Sequence, residues 1–234
     1  MSRTPLLLLP GLLCDARLWR DQVAGLGAAA TPVVADLTLD ESVSAMAERA
    51  LAAMDAAGAT RFALAGLSMG GYVAFEVMRR APERVERLAL LDTSARPDTP
   101  EQSRQRRGLM SLTRTGQFRG VTPRLIPRLL HAENQAGPLA EEVIAMAGRV
   151  GKEAFLRQQA AILGRPDSRP DLAGIAVPAL VAVGEADVLT PPDLAREMAE
   201  GIPGARLQVL PGCAHLPPME RPGEVTALLR DWLG

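Results

Sequence analysis

The stretch from Arg61 to Met78, RFALAGLSMGGYVAFEVM, constrains the fold more than any other part of the chain. The short apolar run Phe62-Ala63-Leu64-Ala65 reads as a buried strand. Tyr72, Phe75 and Val77, set among small residues, read as a helix able to pack close to a sheet. Between them lies Gly66-Leu67-Ser68-Met69-Gly70, with glycine two residues either side of Ser68. A reversal this sharp leaves no room for side chains at those two places, so glycine is required at both. The apex is forced into a strained backbone conformation that holds the Ser68 Oγ clear of the sheet. It also starts a helix, where free N–H groups and the positive end of the dipole favour developing negative charge. The bare pentapeptide fits a plain strand-to-helix turn equally well; a strand before it and a helix after it are what distinguish the two.

The rest of the chain is arranged to surround such a unit. Pro5 to Leu9 is an unalternated apolar run, as expected of a parallel strand covered on both faces. It is shorter than the apolar core of a signal peptide, and Pro10-Gly11 breaks it, so it is read as a strand. A helical stretch near Arg17 to Ala30, a strand from Pro32 to Ala35 and a helix from Glu41 to Ala57 stopped by Gly58 come next. After the central unit, whose helix runs to Arg80 and is closed by Pro82, Leu88 to Leu91 is a strand ending in Asp92. Strict alternation of strand and helix implies parallel strands joined by right-handed crossovers. The fold class expected is therefore α/β, a mostly parallel sheet of about six strands with helices on both faces.

From Ser94 to Pro170 the rhythm stops. Pro97, Pro100, Pro123, Pro127 and Pro138 are expected to cut a mostly helical region into short pieces, with no buried strand among them. Residues 94–170 are accordingly read as an inserted helical cap, and residues 1–93 and 171–234 as the core. Arg104, Arg106, Arg107, Arg114, Arg119, Arg124 and Arg128 face few acids there, although the whole chain carries a net charge of only -1. Two readings stand, a solvated helical face or a surface that attracts an acidic acyl group or carrier protein. Beyond the cap, Ala179 to Val183 and Leu207 to Leu210 are strands, separated by a helix from Asp193 to Glu200, and Val225 to Leu233 closes the chain as a helix.

The near-neutral charge gives no sign of a nucleic-acid or membrane-surface partner, and no apolar run reaches the length of a membrane span, so a cytoplasmic protein is expected. Cys14 and Cys213, far apart in sequence, make no disulfide framework. No ligand spacing supports a zinc site built from them and His215, so no metal is expected.

Ligands bind at the carboxyl ends of the strands in open parallel sheets. Ser68, Asp187, His215 and the Gly11-Leu12-Leu13 turn all fall at such ends. A serine hydroxyl is a weak nucleophile that needs a base beside it, and the base needs a partner to fix its tautomer. His215 follows the last strand; His131, the other histidine, lies in the cap. Asp187 follows the penultimate strand, next to the one that leads to His215, and is preferred to its rival Asp92 as the partner.

With Gly66-Leu-Ser68-Met-Gly70-Gly71, Gly184-Glu-Ala-Asp187 and Gly212-Cys-Ala-His215 in the order Ser, Asp, His, the chain resembles the α/β-hydrolase superfamily over nearly its whole length. The resemblance implies that Ser68 is the nucleophile, His215 the acid–base group and Asp187 its orienting carboxylate. The oxyanion hole would be the backbone N–H groups of Met69 and Leu12, with Leu13 as the alternative to Leu12. Where the family often has His-Gly in that first loop, this chain has Pro10-Gly11. It also lacks the two leading strands of the full fold, which would leave the strand at Pro32 to Ala35 as a sheet edge needing cover or a dimer partner. The implied activity is cleavage of a small-molecule acyl substrate, a carboxylic ester, with no cofactor. Acyltransferase, lactonase, C–C hydrolase and perhydrolase activities use the same triad, and a non-catalytic binding protein would keep the fold without the chemistry. A mainly aliphatic pocket is expected from Leu12, Leu13, Leu67, Met69, Leu216 and cap residues, because aromatics are 3% of the chain.

Overall fold

In the computed structural model, which describes residues 3–116 and 118–234, β1 (Thr4–Leu9) is followed by a 3-10 turn at Ala16–Trp19, α1 (Arg20–Gly25) and β2 (Ala30–Val34). α2 (Val43–Ala56), β3 (Phe62–Leu67), α3 (Met69–Arg80) and β4 (Val85–Leu91) continue the alternation. Three helices without an intervening strand come next: α4 (Pro100–Thr115), α5 (Ile126–Leu129) and α6 (Pro138–Leu163). β5 (Ala179–Gly184), α7 (Pro192–Gly201), β6 (Arg206–Leu210), α8 (Pro217–Glu220) and α9 (Pro222–Leu233) complete the chain. The strands form one sheet in the order β2-β1-β3-β4-β5-β6, and every pairing is parallel.

That order places the crevice. The chain leaves β1 towards β2 and then returns across β1 to β3, so the loops after β1 and β3 diverge between two hydrogen-bonded neighbours. Such a reversal opens a cleft at the carboxyl ends of the strands. Ser68 stands at the end of β3, and the Gly11-Leu12-Leu13 turn follows β1, so both border it.

The period of two along each strand divides the core into two layers. Leu6 and Leu8 join Leu18, Trp19, Leu229 and Trp232 on the face covered by α1 and α9. Leu7 and Leu9 join Met46, Val73, Phe75 and Met198 on the face covered by α2, α3 and α7. All four leucines are fully buried, and truncating one to Ala removes about 2–5 kcal/mol. Val121, Ile126, Leu130, Val143, Met146 and Phe155, from the helical stretch between β4 and β5, extend the first of these layers above the strand ends.

The central reversal has the sterics its sequence demanded. A Cβ on Gly66 would lie 2.4 Å from Gly70 O, and one on Gly70 would lie 2.2 Å from Leu9 O. The end of β1 thus rests directly against the start of α3, with no space for a methyl group.

Three local expectations are corrected. The helix read from Arg17 to Ala30 ends at Gly25; Leu26 to Ala29 form turns, and Ala30 already pairs with Thr4 in β2. The prolines between β4 and β5 do not cut that region into short pieces. Pro100 and Pro138 open α4 and α6, and Pro127 lies in the first turn of α5, positions where the missing N–H costs nothing. α6 spans 26 residues in two helical parts, and the break between them falls at Gly151, with φ 79° and ψ 177°, not at a proline. Lastly, α8 forms just after His215, a short helix the apolar pattern did not announce. No helix of the described residues is long and apolar enough to cross a membrane.

Candidate active site

Ser68 adopts φ 54° and ψ -116°, a conformation that costs an L-residue energy and persists because its surroundings fix it. Its N–H donates to Leu91 O at 3.0 Å, and its carbonyl accepts from Thr93 Oγ1 at 2.7 Å. The side chain does not cap α3, so the hydroxyl is left for another partner. That partner is His215, whose Nε2 lies 2.9 Å from Ser68 Oγ. On the other side of the ring, Nδ1 lies 2.8 Å from Asp187 Oδ2. Residues 147 and 28 positions apart in sequence meet here, as the strand-end placement predicts.

The carboxylate is held as firmly as the serine. Asp187 Oδ1 accepts from the N–H groups of Leu189 at 2.8 Å and Thr190 at 3.1 Å, and Oδ2 accepts from Thr190 Oγ1 at 2.7 Å. Burial works against its charge. The charge and hydrogen bond of His215, with the bonds from Thr190 and Leu189, outweigh that and hold its pKa below the usual carboxylate range. An ionised Asp187 accepts only, so His215 carries its proton on Nδ1 and offers the Nε2 lone pair to the serine hydroxyl.

Asp92, the rival acid, sits beside this pair and is differently used. It is 1% exposed, its Oδ1 accepts from Gly184 N–H at 2.8 Å, and its Oδ2 has no partner among the described residues. Burial first, and then the charge of Asp187, push its pKa well above the ordinary value, the opposite direction to that of Asp187. Asp92, Asp187 and His215 are close enough to be weighed as metal ligands. The Asp187 oxygens and His215 Nδ1 are, however, already occupied with one another and with Thr190.

The first loop separates the two candidate donors. Leu13, at φ 59°, gives its N–H to Gln158 Oε1 at 3.0 Å. The N–H groups of Leu12 and of Met69, the latter in the unbonded first turn of α3, have no acceptor among the described residues. Of the two leucines, then, Leu12 has the available donor.

Above these groups lies a cavity of about 430 Å³ whose wall includes Ser68, His215, Leu12, Leu13, Leu67 and Leu216. Met69 is not in that wall: its side chain passes to the opposite core layer with Val73 and Phe75, a correction to the pocket drawn from sequence. The wall is mainly aliphatic, as expected, with two aromatic rings in it. Phe118 and Phe155, half of the four phenylalanines, line the cavity with ring centroids 5.4 Å apart. The rest of the upper wall comes from the helices between β4 and β5, including Val143, Met146 and Gln159.

His131 is not in the wall; its ring caps a 3-10 turn and its N–H donates to Glu220 Oε2 at 2.7 Å. Both cysteines are free and buried. Burial, helped by Asp15, pushes the Cys14 thiol up to about 12, and burial with Glu220 raises Cys213. Both thiols are therefore neutral at ordinary pH, and neither joins a cluster of metal-binding geometry among the described residues. Sequence reasoning missed Gln158, Thr190 and Glu220. Glu220 fastens the His215 loop, accepting from Ala214 N–H at 2.8 Å as well as from the His131 N–H and Asn134 Nδ2. The polar pair Gln158-Gln159 on the buried face of α6 was the available signal.

Comparison with known proteins agrees with this geometry. A thermophilic esterase from Thermogutta terrifontis superposes with a TM-score of 0.90 at 32% identity, covering 99% of this chain and 90% of that one. The enol-lactonase of Burkholderia xenovorans LB400 superposes at 0.86 with 29% identity, covering 100% and 92%. A pimeloyl-[acyl-carrier protein] methyl ester esterase of Neisseria meningitidis serogroup C is 30% identical over 173 residues, 72% of this chain and 68% of that protein. The model of the alpha/beta hydrolase family matches residues 6–228, and the chain belongs to that family.

Proposed function

We propose that the protein is a serine hydrolase that cleaves a small-molecule carboxylic ester through an acyl-enzyme on Ser68. The observation that carries this is the unbroken relay Ser68 Oγ, His215, Asp187, at 2.9 and 2.8 Å. In the first half-reaction Ser68 Oγ attacks the carbonyl carbon while His215 Nε2 takes its proton. Asp187 stays ionised and stabilises the imidazolium. The oxyanion is received by the N–H groups of Leu12 and Met69, and the alcohol departs with the proton from Nε2. Water then enters by the same route, gives its proton to Nε2, and releases the acid and Ser68.

Leu13, Leu67 and Leu216 form the floor on which the acyl group rests, and residues 94–170 act as a cap that closes over it. Leu109, Leu112 and Leu125 lie at the rim, Leu112 with 71% of its surface exposed. Arg106 pairs with Asp98. Arg104, Arg107, Arg114, Arg119, Arg124 and Arg128 are exposed, and no ion pair involves them among the described residues. A basic rim around an apolar mouth suits an acyl group carried by, or ending in, an acidic partner; the name of the Neisseria relative gives that protein a substrate on an acyl-carrier protein. Pro32 removes a donor from edge strand β2, which favours a monomer over an edge-paired dimer. Two buried free thiols suit a reducing, cytoplasmic setting.

The test is a panel of p-nitrophenyl esters and lactones of graded length on wild type and Ser68→Ala. Turnover should fall by about 10⁴-fold in the variant, and a fluorophosphonate should label wild type at Ser68 alone. A Ser68→Ala protein that keeps its turnover would overturn the assignment. Lactones cleaved in preference to every open ester would move the activity to the lactonase reading, which the Burkholderia neighbour's name supports.

A further inference from the structure

Most of the cavity wall is apolar, and Gln159 is among its polar members with no part in the chemistry above. Gln159 lies on the buried face of α6, is 2% exposed, and borders the cavity that opens on Ser68. Its Oε1 accepts from Arg106 Nη1. An arginine has donors only, so the carboxamide oxygen must face Arg106 and the nitrogen must turn the other way. Arg106 is itself anchored: its Nε donates to Asp98 Oδ2 at 2.8 Å, and Asp98 also accepts from Arg165 Nη1 at 2.7 Å. This fixed chain sets the amide's orientation from behind. Gln158, next to it, uses both ends of its amide, on Leu13 N–H and on Leu37 O. Gln159 Nε2 has no partner among the described residues and is not sealed from the cavity. Thr113, across the wall on α4, is buried and likewise has a hydroxyl without a partner among them.

A donor left bare in an apolar chamber is costly, and a substrate oxygen that satisfies it is correspondingly favoured. The bond from Arg106 strengthens the effect by polarising the amide. We infer that Gln159 Nε2 is a specificity-determining donor for an oxygen acceptor on the substrate away from the scissile carbonyl. The preferred ester then has a keto or carboxylate oxygen along its chain. This rests on Ser68 being the nucleophile of the site.

The experiment compares kcat/KM for methyl esters of straight-chain acids with the same chains bearing one keto oxygen, stepped along the chain, or a terminal carboxylate. Wild type should prefer one oxygen-bearing partner by about tenfold over its plain counterpart. Gln159→Met removes the donor. Gln159→Glu keeps an acceptor for Arg106, and so the fold, but offers the substrate no N–H. Gln159→Met should bring the ratio to about one for either oxygen, and Gln159→Glu should do so for the keto ester and turn the ratio below one for the carboxylate. A keto or a carboxylate preference that disappears in both variants supports the inference and tells which oxygen is bound. A wild-type ratio of one at every chain position, or a ratio that survives in Gln159→Glu with an unchanged melting temperature, overturns it. If Ser68→Ala is inert while the Gln159 ratios do not move, only this inference falls. If Ser68→Ala still turns over, the ester hydrolase reading fails first.

Discussion

Replacing Gln158 with Leu tests how the first loop is held and what the holding does for catalysis. Gln158 joins three parts of the chain: it sits on α6, accepts from Leu13 N–H at 3.0 Å in the loop after β1, and donates to Leu37 O at 3.1 Å after β2. Leucine fills about the same volume, so the change deletes two buried hydrogen bonds with little cavity. Each orphaned backbone group costs about 1–3 kcal/mol, together roughly 2–6 kcal/mol. For a chain of this size that lowers the melting temperature by roughly 5–20 °C. The kinetic effect should be separate. In the proposed mechanism the Leu12 N–H receives the oxyanion, and its neighbour Leu13 holds a positive φ with its own N–H anchored to Gln158. On that proposal, loss of the anchor lets the Leu12 N–H drift, and full loss of one oxyanion donor lowers kcat by about 10²–10³-fold. Thermal unfolding by circular dichroism and kcat on a p-nitrophenyl ester, measured below the variant's transition, give the two numbers. A drop in melting temperature with kcat intact would show that the Leu12 donor does not depend on Gln158. An unchanged melting temperature would refute the account of the two orphaned groups.

Asp187→Asn should leave the fold in place and lower kcat by about 10³–10⁴-fold, because an amide nitrogen facing Nδ1 favours the wrong tautomer of His215; stopped-flow release of p-nitrophenol measures it, and a loss under tenfold would contradict the relay. Asp92→Asn should spare activity and change the pH dependence of stability. Asp92 has a raised pKa in the fold, so its contribution is fully present below its unfolded value near 4 and is lost as pH rises towards the folded one. Relative to wild type the variant should gain up to about 1.4 kcal/mol per pH unit across that interval. Urea unfolding at a series of pH values reads it, and a difference independent of pH would sink the idea that the fold raises the Asp92 pKa. Asp187 behaves oppositely, since its depressed pKa supplies stability above the unfolded value that is lost as pH falls through the folded one.

What the sequence could announce was whatever a short window contains. The runs at Pro5–Leu9 and Ala179–Val183 are apolar at every position because both faces of a parallel strand are covered, and they form β1 and β5. Gly66 and Gly70 declared themselves because the steric demand lies within five residues. Ser68, Asp187 and His215 were found through a rule about strand ends, which turns topology into proximity without needing contacts. The cavity's upper wall follows no such rule. Gln158 meets Leu13 across 145 positions, and Arg106 meets Gln159 across 53, with nothing at either end to name the other. Met69 shows the same limit at shorter range, because the side chain of the residue after Ser68 belongs to the opposite layer and not to the cavity wall.

One inference was nevertheless open to a closer reading of α6. Ala154, Phe155, Gln158, Gln159 and Ile162 share a helical face, and that face is buried. A polar side chain in such a row must find partners or be costly, so two adjacent glutamines there announce either a structural tie or a place for a ligand. Gln158 is the tie. Gln159 has a partner for its oxygen and none for its nitrogen, which is the asymmetry expected of a group whose second partner arrives with the substrate. If the Gln159→Met ratios come back unchanged, that rule for reading buried glutamines fails in this protein, while the relay at Ser68 stands on its own distances.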